Sequence, residues 1–158
     1  MNSLERPIVE HTKYYIDTEF DGHNGPLISL GLVPEGQLGY HFYIINPVKD
    51  QWVIDNVLPV IDSGPYNIIL RENELGGALR GILVNRATIV ADSPVDIARF
   101  CRALSTGPNG EYAPNSLSNI YFEVHDVECY PTGLPGAVQH NAWWDAKALE
   151  WKLNGSNL

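Results

Sequence analysis

At 158 residues and a formal net charge of −9, the chain has the length of one domain, 1–158, able to bury a single core. So acidic a balance argues against broad, non-specific affinity for nucleic acid, which rests on phosphate neutralisation by Lys and Arg. It leaves room for an enzyme that grips a short strand end through bound metals. The opening Met1-Asn2-Ser3-Leu4-Glu5-Arg6-Pro7 lacks the apolar core of a signal peptide, and no apolar run is long enough to cross a bilayer. Cys101 and Cys129 lack metal-site spacing and are too few for a disulfide framework. Free thiols and a cytoplasmic location are therefore expected.

Taken in order, Tyr14 to Phe20 reads as a buried strand that ends in carboxylates. Asp17 and Glu19 project from one side of it, a single repeat apart. Two acids so close repel each other, and a cation between them relieves the cost; solvated acids at a strand end are the plainer alternative. The turn formers Asp21 to Pro26 lead to a second strand, Leu27 to Val33, and Pro34 to Gln37 to a third, Gly39 to Ile45. The short connections favour an antiparallel meander.

After Pro47 the period changes. Trp52, Val53 and Val57 suit a short helix ending near Pro59. Leu75, Ala78, Leu79, Ile82 and Leu83 form the apolar stripe of a packed helix, which Gly76, Gly77 and Gly81 weaken. Ala87 to Ala91 is the fourth strand. Ser93 and Pro94 then open a helix with Asp96 in its first turn, buried through Ile97, Phe100, Cys101 and Leu104. A Gly/Pro/Asn-rich loop precedes the fifth strand, Asn119 to Val124. Cys129 to Val138, rich in Pro and Gly, is expected to be exposed and mobile. The last helix carries Trp144, Ala148 and Trp151 at i, i+4 and i+7. This order describes an α/β chain, a mixed five-stranded sheet flanked by helices, with parallel strands in its second half.

The acids now assemble: Asp17 and Glu19 end the first strand, Asp96 follows the fourth, and Asp145 lies in the last helix. His140 precedes Asp145 by five residues, roughly 140° of turn on a continuous helix. For both to meet one site, His140 must lie in the loop or first turn.

With these motifs the chain resembles the DEDDh branch of the DnaQ-like 3′→5′ exonucleases, which have a ribonuclease H-like fold. The resemblance covers essentially the whole chain in element order. It is carried by Asp17-Thr18-Glu19, Leu27-Ile28-Ser29-Leu30-Gly31, Asp96 and His140-x4-Asp145. Within the branch, length and the Asp-Thr-Glu-Phe start look similar to small bacterial and mycobacterial exoribonucleases, and more distantly to ribonuclease T and oligoribonuclease. The resemblance implies two divalent metals, Mg²⁺ or Mn²⁺, held by Asp17, Glu19, Asp96 and Asp145, with His140 as general base. It also implies single-stranded RNA 3′ ends as substrate, released as 5′-mononucleotides, and a homodimer. The chain departs from the pattern in the second motif. Where the family often has His-Asn-x-x-Phe-Asp, this sequence has Ala91-Asp92-Ser93-Pro94-Val95-Asp96. Asp96 is the expected ligand and Asp92 the alternative.

Other assignments stand beside these. Asp96 could serve only as a helix cap. Phe20 could stack on the terminal base or lie in the core. Trp143 and Trp144 read as packing residues, His41 and His125 as strand residues, His11 and His23 as surface. Arg99, Arg102 and Lys147 default to solvated charges, and Asp21 to a turn former. A DNA exonuclease of the same fold, a non-catalytic nucleic-acid-binding module and a structural metal protein are the competing functions.

Overall fold

A computed structural model describes residues 11–155; the opening segment that bears on a signal peptide lies outside them. The strands are β1 (His11–Phe20), β2 (Leu27–Pro34), β3 (Tyr40–Ile44), β4 (Ile68–Leu70), β5 (Arg86–Ala91) and β6 (Ile120–Val124). The helices are α1 (Gln51–Asn56), α2 (Glu72–Ile82), α3 (Pro94–Leu104) and α4 (Ala142–Asn154). The described residues thus form an α/β structure, a mixed sheet of six strands flanked by four helices.

Strand order is β4-β3-β2-β1-β5-β6. The β1-β2-β3 meander is antiparallel, while β5 joins β1, and β6 joins β5, in parallel. The expected five strands become six because β4 pairs in parallel with β3 at the edge. Its three residues, Ile68-Ile69-Leu70, are too few to show a period. His125 lies just past β6 and not on it, although its N–H still bonds to the Ala91 carbonyl.

Both sides of the sheet are covered, so β2 reads as an almost continuous buried run. On one side Ile16, Leu30, Leu32 and Phe42 pack against Leu75 and Leu79 of α2 and Phe100 and Leu104 of α3. Gly76 lets these helices approach: a Cβ there would stand 2.3 Å from the Thr106 carbonyl oxygen, while one at Gly81 would meet open space. On the other side Tyr15, Val33 and Val90 meet Trp143, Ala146 and Leu149 of α4.

The packed stripe of α4 differs from expectation. Ala142, Trp143, Ala146, Ala148 and Leu149 are buried, whereas Trp144 and Trp151 are only half-buried at the flanks. The helix is apolar on more than one side, so periodicity alone cannot choose between them. Gly31 decides the matter, because a Cβ there would stand 2.3 Å from the Ala142 carbonyl oxygen. The first turn of α4 therefore rests directly on β2, opposite Asp17, which pairs with Gly31. The loop expected to be exposed from Cys129 onward begins instead with a buried Cys129, and Tyr130 packs against the same cluster.

Candidate functional site

β1 has an antiparallel neighbour on one side and a parallel one on the other. Crevices beyond the carboxyl ends of strands at such reversals are natural binding places in α/β sheets. The pairing between β1 and β2 shifts register at Glu19/Phe20, leaving Ile28 as the extra residue. Ile28 turns to the α1 side, where Val53, Val57 and Ile61 cover it. A bulge of this kind ends regular pairing and re-aims neighbouring side chains.

Around that crevice the expected acids fall into two groups. Oxygens of Asp17, Asp92 and Asp96 lie within 4.8 Å of one another, and so do ligand atoms of Glu19, His140 and Asp145. Every residue expected to hold metal or to act as base is present, and Asp92 joins Asp96 where one of the two was expected. Asp96 is buried and the other five are half-buried.

Each side chain has a local reason for its place. Ser93 caps α3 by accepting from the Val95 N–H, which frees Asp96 from capping. Asp96 Oδ1 instead accepts from the Thr18 N–H at 3.2 Å and from its hydroxyl at 2.5 Å. Thr18, between the two strand acids, thus ties the start of α3 to the end of β1. Asp92 immediately follows β5, and the Cys129 thiol donates to it at 3.8 Å. Asn141 caps α4 through the Trp144 N–H and anchors to the carbonyls of Val60 and Ile61. His140, just before that cap, has a positive φ of 70°, a conformation in which His is over-represented. In that turn its N–H donates to Asp145 Oδ2 at 3.1 Å. Its ring stands edge-on to the Trp52 ring, with centroids 5.1 Å apart. Trp52 is the residue here that its sequence pattern does not reveal; an exposed aromatic on a short helix reads only as packing.

The electrostatics are unbalanced. Asp17 Oδ2 and Asp145 Oδ1 are buried without a hydrogen-bond partner. Burial first, then the neighbouring carboxylates of Asp96 and Asp145, hold Asp17 well above its ordinary range. Glu19 is pushed up to about 9, again by burial and then by Asp145 and Asp96. Burial raises Asp145 to about 7, opposed by the His140 N–H that donates to its other oxygen. Burial also raises Asp96, to about 6, against the restraint of its hydrogen bonds from Thr18. No lysine or arginine among the described residues forms an ion pair with any of them. Lys147 turns away to the Gln37 carbonyl and Glu150. Protons or cations must supply the compensation that the described residues do not.

Phe20 lies on the α2/α3 side, with the Arg99 guanidinium 4.3 Å above its ring centre. It is half-buried and stands outside the main core cluster. Asp21 does more than turn the chain: its carboxylate accepts from the Lys49 and Asp50 N–H groups, tying the end of β1 to the start of α1. Trp143 and Trp144 pack as expected, with their indole N–H groups on the carbonyls of Leu38 and Ser63. His41 is fully buried, and burial lowers it to about 4. His11 and His23 are exposed.

No family model matches the chain, and no curated protein matches it. Its functional reading therefore rests on these residues. Among the described residues no helix is long and apolar enough to cross a membrane.

Proposed function

We propose that the protein is a metal-dependent 3′→5′ exonuclease with a ribonuclease H-like fold, acting on single-stranded nucleic acid and preferring RNA to DNA. The observation that carries this reading is the pair of acidic groups at the end of β1, with two orphaned buried oxygens and no lysine or arginine paired with them among the described residues. Carboxylate oxygens suit hard cations such as Mg²⁺ or Mn²⁺. Asp17, Asp92 and Asp96 would hold one, and Glu19 and Asp145 the other, with Asp17 near enough to Asp145 for each to raise the charge cost of the site. Two such ions, when bound, lower the pKa of a water and offset charge on the attacking and leaving oxygens of a phosphodiester.

The chain's own residues do the rest. Thr18 fixes Asp96, and the His140 N–H fixes Asp145, so both carboxylates are preorganised. The His140 imidazole, braced by Trp52 beside Glu19 and Asp145, takes the proton from the attacking water.

The test is digestion of matched 3′-labelled RNA and DNA oligomers with Mg²⁺, Mn²⁺ or excess EDTA. Release of 5′-mononucleotides only with metal, faster from RNA, is expected. Robust cleavage in EDTA overturns the proposal, and a strong DNA preference reassigns its substrate.

A further inference from the structure

A cleft of about 580 Å³ opens on the α2/α3 side of the sheet, walled by Asn24, Gly25, Glu72, Arg99, Arg102 and Thr106. Its volume is within the usual range for ligand sites. The charge is what singles it out. The chain has ten Lys and Arg against nineteen Asp and Glu, yet two arginines share this wall. Arg102 lies near enough to depress the pKa of Arg99, after the effect of burial. Neither forms an ion pair with a carboxylate among the described residues.

Arg99 is held in place. Its Nη1 donates to the Gly25 carbonyl at 2.6 Å, its Nη2 to the His23 carbonyl at 3.0 Å, and its plane rests on Phe20. A guanidinium has five N–H donors, so most remain for a ligand. The Arg102 side chain is exposed and bonds to no described residue. Asp96, Arg99 and Arg102 follow one another on α3 at i, i+3 and i+6, neighbouring positions on one helix flank. The stripe runs from the buried acid to the cleft over about 9 Å of helix axis. Glu72, the acid on the opposite wall, disfavours a compact trianion deep in the cleft.

We propose that this cleft binds the phosphodiester backbone of the substrate strand upstream of its 3′ end, with Arg99 and Arg102 contacting successive phosphates. Guanidinium forks fit phosphate oxygens in pairs. Phe20 then acts chiefly as the bed for Arg99. This proposal rests on the nuclease reading, because it places the strand's end among the acids. It also explains how so acidic a chain grips a polyanion: the basic contact is a short stripe and not a broad face.

The test is equilibrium binding of a fluorescein-labelled octauridylate, in EDTA so that no turnover intrudes, at several salt concentrations. Wild type is compared with Arg102→Gln, Arg99→Gln and a charge-matched control, Arg86→Gln. Arg86 is exposed at the start of β5, the end of the sheet away from the acids. Arg102→Gln should weaken binding about tenfold and reduce the salt slope by about one, with Arg86→Gln close to wild type. Equal losses for Arg102→Gln and Arg86→Gln, or none in either arginine-cleft variant, overturn the cleft assignment. Uridine 5′-monophosphate competing as well as an unlabelled octamer also overturns it, in favour of a free-nucleotide site. Metal-dependent turnover on the same octamer is scored separately. Turnover without an arginine effect leaves the nuclease reading standing and removes the cleft; arginine-dependent binding without turnover does the reverse.

Discussion

At the scale of single residues, Asp92 and Asp96 carry the clearest revision. A motif can name one ligand, but the structure places both carboxylates beside Asp17. Asp96 has one oxygen fixed by Thr18, whereas Asp92 shares its carboxylate with a weak thiol donor. Both Asp96→Asn and Asp92→Asn should therefore weaken Mn²⁺ binding in a calorimetric titration, Asp96→Asn by at least about tenfold and Asp92→Asn by less. No loss in Asp92→Asn would return the site to four carboxylates. His140 and Asp145 separate in the same way. His140→Ala should slow single-turnover cleavage by roughly two to four decades, the range for a lost general base, with Mn²⁺ affinity retained. Asp145→Ala should reduce both. If His140→Ala loses metal as badly as Asp145→Ala, the imidazole is a ligand and not the base.

At the scale of elements, the site depends on how closely α4 sits on β2. Gly31→Ala would push a methyl into the Ala142 carbonyl, displacing the turn that aims His140 and Asp145. Overpacking of that kind costs about 1–3 kcal/mol, readable as a shift in urea midpoint. Activity should fall further than stability accounts for, since Gly31 faces Asp17 across the β1–β2 pair. The elements themselves were largely legible in the chain. The apolar strands bounded by turn formers, the Ser93-Pro94 helix start and the α2 stripe announce themselves through composition, period and capping. What stayed hidden was decided by contacts distant in sequence. Three residues of β4 gain meaning only from pairing with β3. The buried stripe of α4 follows from a glycine more than a hundred residues earlier. The Asp17–Glu19 pair and the His140–Asp145 spacing revealed the acids, yet the brace from Trp52 carries no motif, and nothing in Asp17-Thr18-Glu19 announces that Thr18 tethers Asp96.

At the scale of the whole molecule, the uncompensated acids link stability to pH. Asp17, Glu19, Asp96 and Asp145 all have folded-state values raised above their ordinary ones. An unfolded chain releases those protons near pH 4, so between about pH 4 and Glu19's folded value of about 9 the folded form binds more protons. Their stabilising contribution is complete below the unfolded values and is lost as pH rises. In EDTA the melting temperature should therefore fall from about pH 5 to about pH 8, with a shallower fall in Asp17→Asn. Saturating Mn²⁺ should flatten the wild-type profile, because a cation replaces the protons. A profile unaltered by both Asp17→Asn and Mn²⁺ would place the pH dependence elsewhere in the molecule.

If the carboxylates at the end of β1 cut nucleic acid with bound metal, the cuts begin at the 3′ terminus. A 5′-labelled single-stranded RNA oligomer, sampled over time with Mn²⁺ and resolved at single-nucleotide length, tests it most directly. Wild type should shorten the oligomer one nucleotide at a time from the 3′ end, and Asp17→Asn should leave it intact under the same conditions. Internal cuts, equal digestion by the folded Asp17→Asn protein, or RNA and DNA both left whole by a wild type that binds Mn²⁺ would contradict it.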